Sequence, residues 1–304
     1  MKHPLIPTLI IISLFIIAQI VGISVLYRYI DIDETEKSGE VKYFELPFGQ
    51  ERPEANKSTA WIFIVIAILI GTLILLGLIK LKMFNVWKTW FFLAVWISLL
   101  IAFAAFIDES IALVIAAILA AWKIWKPNVI IHNLTELFIY AGIAAMIVPI
   151  LNIFSGIALL IAISFYDYWA VFKSKHMVEL AKASRDSRIF PGLHIEYGKS
   201  EKIVKKEKLE SSKNQLNLEK ANKSKSRGAM LGGGDIAFTL LFSGTVLSHY
   251  LLTEFAILKT GLVILGAVAG LSITLFLARK DKFYPAMPPI TIGCIIGFLI
   301  TVLL

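Results

Sequence analysis

Two aspartates stand in otherwise apolar stretches of this chain, and together they could carry out hydrolysis. Asp167 lies in the run ISFYDYWA over residues 163–170, and Asp235 directly follows three glycines. Two carboxyl groups held close together in a poorly solvated place cannot both ionise, so they share one proton. The ionised group can then take a proton from water while the protonated group polarises a peptide carbonyl. Such a pair can cleave a peptide bond without a metal, a cofactor or a covalent intermediate.

Glycines and prolines lie close to where these acids are expected. The glycines 232–234 weaken a helix and remove every side chain before Asp235, so that another backbone can approach closely. The segment Pro285-Ala286-Met287 begins the last apolar run. Proline is common in the first turn of any helix, which explains this segment as a plain helix start. Its extended backbone is also expected at the level of the two acids, where it could border their site.

The composition indicates that the elements carrying these residues lie in a membrane. Of 304 residues, 58% are hydrophobic and 17% are charged, and the mean hydropathy is +0.77, a balance that excludes a water-soluble enzyme. Apolar runs long enough to cross the ~30 Å hydrocarbon core recur along the chain. An acid inside such a run costs at least ~2.5 kcal/mol, which makes it a candidate for function. We therefore predict an all-α membrane protein with nine transmembrane helices, near residues 5–27, 60–81, 86–107, 109–125, 133–150, 153–172, 229–252, 255–278 and 286–304.

The charges in the connections indicate the direction of these helices, because cationic loops stay on the cytoplasmic side. Lysines and arginines follow the second, fourth, sixth and eighth predicted spans, whereas the opposite connections carry net negative charge or none. This predicts a cytoplasmic amino terminus and a carboxyl terminus outside. Asp167 is then ~9 Å from Lys173 along one helix, and Asp235 is ~12 Å from Arg227 along the next. Both acids are expected at the same depth, toward the cytoplasmic side, where they can face each other.

The net charge of +8 is concentrated in one segment, which divides the chain into three predicted parts. Residues 173–227 hold 15 lysines and arginines and 7 acids, which accounts for the whole excess. The segment lacks the interleaved aromatics of a nucleic-acid site, so no nucleic-acid partner is expected; its composition is typical of a solvated chain attracted to anionic headgroups. We predict a six-helix part over 1–173, a basic, largely disordered cytoplasmic linker over 174–228, and a three-helix part over 229–304. Within the linker, residues 188–197 are less polar and are expected to lie against the membrane.

Three short motifs in order resemble the YD, GxGD and PAL signature of the presenilin and signal peptide peptidase family. They are Tyr166-Asp167, Gly232-Gly233-Gly234-Asp235 and Pro285-Ala286-Met287, on the sixth, seventh and ninth predicted spans. The resemblance implies an intramembrane aspartic endopeptidase in which Asp167 and Asp235 form the catalytic pair, with no metal and no cofactor. It also implies the following roles around that pair: Tyr166, Gly232 and Gly234 shape the site, Gly233 fills the variable position, Pro285 and Ala286 help to hold the substrate, and Met287 replaces the usual leucine.

The resemblance also implies partners. The substrates would be membrane-spanning polypeptides, either transmembrane helices or remnant signal peptides, met within the lipid bilayer. The predicted cytoplasmic amino terminus resembles the orientation of presenilin rather than that of the inverted signal peptide peptidases. The chain looks like a compact microbial homologue that does not require accessory subunits, and a homo-oligomer is compatible with this interpretation.

Other classes of membrane protein explain these residues less well. A proton-coupled transporter also uses intramembrane acids and is the principal alternative, but the inverted repeats expected of it are not visible. A serine intramembrane protease is disfavoured because Ser243-Gly244 lacks the rest of its motif and His249 lies on the same span. A prepilin-type peptidase shares the GxGD motif but leaves the Pro-Ala pair unexplained. A zinc protease is disfavoured because HExxH is missing; His132 and Glu136 are expected to anchor a helix end at the membrane interface. In a membrane scaffold that catalyses no reaction, two facing buried acids would destabilise the protein without serving a function.

Overall fold

The computed structural model of the chain, described over residues 5–81, 83–174, 192–197, 227–277 and 284–304, consists mainly of long helices. Within these ranges each of the nine predicted spans contains one helix: α1 (Leu5–Arg28), α3 (Ala60–Lys80), α4 (Phe84–Ala104), α5 (Glu109–Trp125), α6 (Val129–Ile147), α7 (Ile153–Trp169), α8 (Gly233–Tyr250), α9 (Ala256–Leu277) and α10 (Met287–Leu303). The connection after α1 holds strand β1 (Ile30–Asp31), the short helix α2 (Ile32–Ser38) and strand β2 (Lys42–Tyr43). Short 3₁₀ turns lie at Pro47–Gly49 and Val148–Ile150, and a π-helical turn, Ala170–Ser174, follows α7.

Six of the described helices are long and apolar enough to cross a membrane: α1, α3, α4 and α9, and also α6 and α7 when the 3₁₀ or π turn that continues each of them is included. This agrees with a multi-pass membrane protein. Helices α5, α8 and α10 have only 17 or 18 residues, which is the lower end of the length a spanning helix needs. The count of nine spans and the direction of the termini therefore stay predictions.

A two-stranded sheet occupies part of the predicted linker. Strands β3 (Gly192–Tyr197) and β4 (Arg227–Gly232) pair antiparallel, with Gly192 opposite Gly232. These residues are ordered, because pairing satisfies the backbone of both strands and buries Leu193 and Leu231. The expectation that the linker as a whole is largely disordered stays a prediction. The remaining linker residues, 175–191 and 198–226, lie outside the described ranges. So do residues 82 and 278–283, whose lysines and arginine support the predicted orientation.

The seventh predicted span begins later than the sequence suggests. Its start was expected at residue 229, but α8 begins at Gly233 because β4 continues to Gly232, whose φ of −63° and ψ of 142° are extended. The sequence near residue 229 continues the apolar run and carries no mark of this strand, because β4 is formed by pairing with the distant strand β3. Asp235 consequently lies in the first turn of α8, where backbone amides are free.

Helix α8 is the central helix of the described bundle. It packs against α1, α6, α7, α9 and α10, and its side chains from Thr239 to Leu247 are all buried. Gln19 of α1 donates a hydrogen bond from Nε2 to the carbonyl of Ile236, at 3.1 Å. The groups in the first turn of α8 are therefore held by neighbours on several sides.

Helices α9 and α10 approach each other backbone to backbone. A Cβ at Gly266 would collide with the carbonyl of Gly293, and a Cβ at Gly270 would collide with the carbonyl of Pro289. Small residues at such an interface are typical of closely packed helices in membranes. Because α10 also packs against α7 and α8, this contact helps to hold the start of α10 next to both aspartate-bearing helices.

Candidate active site

Asp167 lies in the last turn of α7 and caps the start of α10. Its Oδ2 accepts a hydrogen bond from the backbone N–H of Met287 at 3.2 Å, and the amide of Ala286 also interacts with the carboxyl group. Pro288 and Pro289 follow and have no N–H to offer. The amides of Ala286 and Met287 are thus the donors that the helix start leaves free. The Asp167 residue is only 8% exposed, so its carboxyl group is held by the α10 backbone away from bulk solvent.

A second polar contact joins the same two helices one turn away. Ser164 precedes Asp167 by three residues and Thr291 follows Met287 by four, so each pair lies on one helix face. The hydroxyl oxygens of Ser164 and Thr291 are 2.6 Å apart and share a hydrogen bond. Two contacts along the interface set the rotation of α7 against α10, and with it the direction of the Asp167 side chain.

Asp235 lies in the first turn of α8, directly after β4. The backbone amide of Gly232 interacts with its carboxyl group, and a Cβ at Gly232 would lie 3.3 Å from Oδ2. The free amides and the dipole at a helix amino terminus favour a negative charge in this turn. Glycine at position 232 therefore leaves the carboxyl group room against the backbone that precedes it.

The structure brings the two predicted acids together between α7 and α8. These helices pack on one another, and the charge of Asp167 acts electrostatically on Asp235. Asp235 is partly buried, like the turn around it. Among the residues that the structure describes, no group of three or more His, Cys, Asp or Glu side chains is arranged to hold a metal ion. The arrangement offers two carboxyl groups on packed helices, near enough to interact electrostatically, with backbone amides on each.

The other predicted site residues differ in their burial and in how tightly they are packed. Tyr166 and Pro285 are partly buried and adjoin Asp167 and Ala286 along the chain. Gly234 is exposed, and a Cβ there would meet the Phe238 ring at an ordinary contact distance of 3.4 Å, whereas a Cβ at the buried Gly233 would overlap the hydroxyl group of Tyr140 on α6. The middle glycine of the motif is therefore packed more tightly than the one that follows it.

A buried polar cluster lies behind Gly233, and the sequence reasoning missed it. We name it the α5–α6 cluster; its members are Lys123, His132, Glu136 and Tyr140. Lys123 Nζ and Glu136 Oε1 form an ion pair of 2.6 Å, with side chains 3% and 2% exposed. Tyr140 donates its hydroxyl hydrogen to Glu136 Oε2 and interacts electrostatically with Asp235. The cluster thus extends to the candidate site.

The same cluster binds the first residue of β3. The N–H of Gly192 donates to Glu136 Oε2 at 3.1 Å, and the carbonyl of Gly192 lies 2.8 Å from His132 Nε2. Lys123 Nζ is 3.2 Å from His132 Nδ1. Because an ammonium group only donates, Nδ1 accepts, and Nε2 carries the hydrogen that goes to Gly192. The φ of 139° at Gly192 is one that side chains disfavour, so glycine suits this junction.

The expected role of His132 and Glu136 as interface anchors is wrong, because both bind groups inside the protein. A sequence signal for the cluster does exist. His132, Glu136 and Tyr140 recur every four residues and so share one face of α6, and Lys123 is a cation within the neighbouring apolar run. An acid and a base in adjacent apolar helices predict a buried pair more readily than two interface residues.

Comparison with known proteins identifies the family. The family model described as signal-peptide peptidase, presenilin aspartyl protease matches residues 12–304. Two solved structures of a presenilin family intramembrane aspartate protease share the fold. The one in space group C222 is 18% identical, with a TM-score of 0.62 over 98% of this chain and 100% of that chain. The one in space group P2 is 17% identical, with a TM-score of 0.56 over 96% of each chain. No curated protein matches the chain.

The family match covers nearly the whole chain, including both aspartates and the start of α10. The similar structures share the fold at low sequence identity, and the described helices are those of a multi-pass membrane protein. The chain therefore belongs to the signal-peptide peptidase and presenilin aspartyl protease family, and it is an intramembrane aspartic protease.

Proposed function

We propose that Asp167 and Asp235 are the catalytic pair of this protease, and that they hydrolyse peptide bonds of transmembrane helices or remnant signal peptides. The observation that carries the proposal is the electrostatic interaction between two carboxyl groups at helix ends, one capping α10 and the other in the first turn of α8. Each carboxyl group is oriented by backbone amides, those of Ala286 and Met287 on Asp167 and that of Gly232 on Asp235. The family membership supports the same chemistry.

The reaction follows from one proton shared by the pair. The ionised carboxyl group removes a proton from a water molecule, and the water oxygen attacks the carbonyl carbon of the substrate. The protonated carboxyl group gives its proton to the carbonyl oxygen, which produces a tetrahedral diol. When the diol collapses, one of its hydroxyl groups gives a proton to the carboxyl group that is now ionised, and the C–N bond breaks. The protonated carboxyl group gives its proton to the leaving amine, so the pair holds one proton throughout. The two acids and one water molecule suffice for this sequence.

The elements around the pair suit an extended substrate. A substrate helix must open locally, and its freed amide and carbonyl groups need partners in a dry medium. Within the described residues β3 and β4 form a two-stranded sheet, so β4 keeps one edge for a further strand on the path to Asp235. Gly232 and Gly234 leave room for that backbone, and Pro285, Ala286 and Met287 border the opposite side together with Tyr166.

The proposal includes the topology predicted from the sequence. Nine spans, with the amino terminus in the cytoplasm and the carboxyl terminus outside, put the pair toward the cytoplasmic side. The basic segment 174–228 then lies at that side, where it can attract anionic headgroups. The substrate partner is a membrane-spanning polypeptide, and the proposed reaction does not require accessory subunits or a homo-oligomer.

The test is cleavage of a single-span peptide by the purified, reconstituted protein. We expect Asp167→Asn and Asp235→Asn each to abolish cleavage and labelling by a diol-mimicking inhibitor of aspartic proteases. Each variant keeps only one of the two acids, so no proton can be shared between them. Asp108→Asn is the matched control. Asp108 caps α5 through the N–H of Ser110 at 2.9 Å, a role that asparagine fills equally well.

Full cleavage by either variant of the pair contradicts the catalytic assignment. The transporter alternative predicts proton-coupled uptake without peptide cleavage and without labelling by the inhibitor.

The pH dependence gives an independent test. Activity needs one proton on the pair, so the rate should fall at both acidic and alkaline pH. A rate that is constant from about pH 4 to pH 9 contradicts the shared proton.

A further inference from the structure

The α5–α6 cluster reaches Gly232 and Gly233, two of the three glycines that precede Asp235, and it does so from a single carboxyl group. Oε2 of Glu136 accepts from the hydroxyl group of Tyr140 and from the N–H of Gly192. The Tyr140 hydroxyl lies against Gly233. Gly192 pairs with Gly232 in the β3–β4 sheet. Each of the two glycines is therefore linked to Glu136 through one intermediate residue.

Stability alone does not explain why this carboxyl group is charged and buried. Removing an ion pair from water costs free energy that its mutual attraction often fails to recover, and an apolar replacement of both partners is often neutral or stabilising. Glu136 nevertheless has each of its oxygens occupied, Oε1 by Lys123 and Oε2 by the two donors. A charged acceptor binds such donors more strongly and more directionally than a neutral one.

We propose that Glu136 is a positioning residue for the proteolytic reaction. Through Tyr140 and Gly192 it fixes the Gly232–Gly233 backbone from which Asp235 projects toward Asp167, and Lys123 holds Glu136 in place. The proposal rests on the proposed function of the two aspartates. Its chemical meaning is alignment: reacting groups displaced by about 1 Å can lose about 100-fold in rate.

The decisive comparison is between two double variants that both lack the ion pair. Lys123→Met with Glu136→Leu removes the charges and every acceptor oxygen at position 136. Lys123→Met with Glu136→Gln removes the charges but keeps an amide oxygen that can accept from Tyr140 and Gly192. Neither variant leaves an unpaired charge, so both should fold. We expect the leucine variant to lose about 10-fold or more in kcat, with an unchanged KM, and the glutamine variant to stay within about threefold of the wild-type kcat.

Tyr140→Phe tests one arm of the linkage and has a matched control in Tyr29→Phe. Tyr140 and Tyr29 are both 5% exposed, and each donates one hydrogen bond through its hydroxyl group. The Tyr29 bond goes to the carbonyl of Ile101, away from the pair. We expect Tyr140→Phe to lower the thermal midpoint somewhat more than Tyr29→Phe, because its hydrogen bond goes to a charged group and that of Tyr29 goes to a neutral carbonyl. A fall in kcat is expected only for Tyr140→Phe.

Three results would overturn the positioning role. They are wild-type kcat in the leucine double variant, equal kcat in the leucine and glutamine double variants, and losses of kcat that follow the thermal midpoint across all variants, including Tyr29→Phe. If these occur while Asp167→Asn and Asp235→Asn are inactive, only the role of Glu136 is wrong. Cleavage by either aspartate variant instead contradicts the proposed function itself.

Discussion

The packing of the middle glycine gives the sharpest prediction on stability. A Cβ at Gly233 would overlap the Tyr140 hydroxyl group and lie within 3.1 Å of its ring, whereas a Cβ at Gly234 has ordinary contact with Phe238. Tyr140 cannot retreat easily, because it is 5% exposed and bonded to Glu136. We therefore expect Gly233→Ala to destabilise the protein and Gly234→Ala to be tolerated, although the family motif treats position 233 as the variable one.

The magnitude follows from two opposing effects. Displacing Tyr140 breaks a hydrogen bond to a charged group, which costs about 1.5–3 kcal/mol. Replacing glycine by alanine in a helix recovers about 0.5–1 kcal/mol through the lower entropy of the unfolded chain. Gly233→Ala should thus lower the free energy of unfolding by about 1–2 kcal/mol. The entropy effect cancels between the two alanine variants, so their difference should be about 1.5–3 kcal/mol.

The measurement is reversible unfolding of the purified protein in detergent micelles, with the two alanine variants compared under the same conditions. A double-mutant cycle adds a direct check. In the Tyr140→Phe background the hydroxyl group is gone, so Gly233→Ala should cost less than it does in the wild type. Equal unfolding free energies for the two alanine variants, or a cost at Gly233 that is unchanged by Tyr140→Phe, would refute the reasoning.

Three further predictions concern single positions. Met287→Leu should keep cleavage and change the unfolding free energy by less than about 1.5 kcal/mol, because the hydrogen bond to Asp167 comes from the backbone of residue 287. Loss of cleavage contradicts this. Lys123→Ala leaves the buried Glu136 charge unpaired and should lower the unfolding free energy by about 3–5 kcal/mol. Its control is Lys57→Ala, at an exposed position, which should lower the unfolding free energy by less than about 0.5 kcal/mol. Equal losses in the two variants contradict the importance of the ion pair. Burial raises the pKa of Tyr29 to about 12 from its usual 10, so the stability that the neutral phenol contributes is complete below pH 10 and is lost as the pH rises to about 12. Tyr29→Phe should lose less stability over that interval in alkaline unfolding experiments, and an unchanged loss argues against the shift.

The positions of the helices and the two acids could be predicted from the sequence. Each apolar run that predicts a span contains a helix in the described structure, because hydrocarbon leaves a backbone few alternatives to local hydrogen bonding. Asp167 and Asp235 were recognisable for the same reason, since charge inside such a run is costly. The ordered motifs added the family, which the match over residues 12–304 confirms.

The contacts that orient the site could not be predicted in this way. The bond between Met287 and Asp167 joins residues 120 positions apart, and the pairing of β3 with β4 crosses 29 intervening residues of mostly polar composition. That pairing shortened α8 and moved Asp235 into its first turn. The ion pair of Lys123 and Glu136 depends on how α5 and α6 are rotated against each other, which an apolar pattern around most of a helix leaves undetermined.

By itself, the sequence determined that this chain is a helical membrane protein with two candidate acids, because transfer into hydrocarbon is governed by local composition and run length. The tertiary structure decided which amides hold each carboxyl group, which glycine is tightly packed, and which buried charge lies behind Asp235. Those features depend on helix rotation and strand pairing between distant segments, and their free energies arise only once the segments meet.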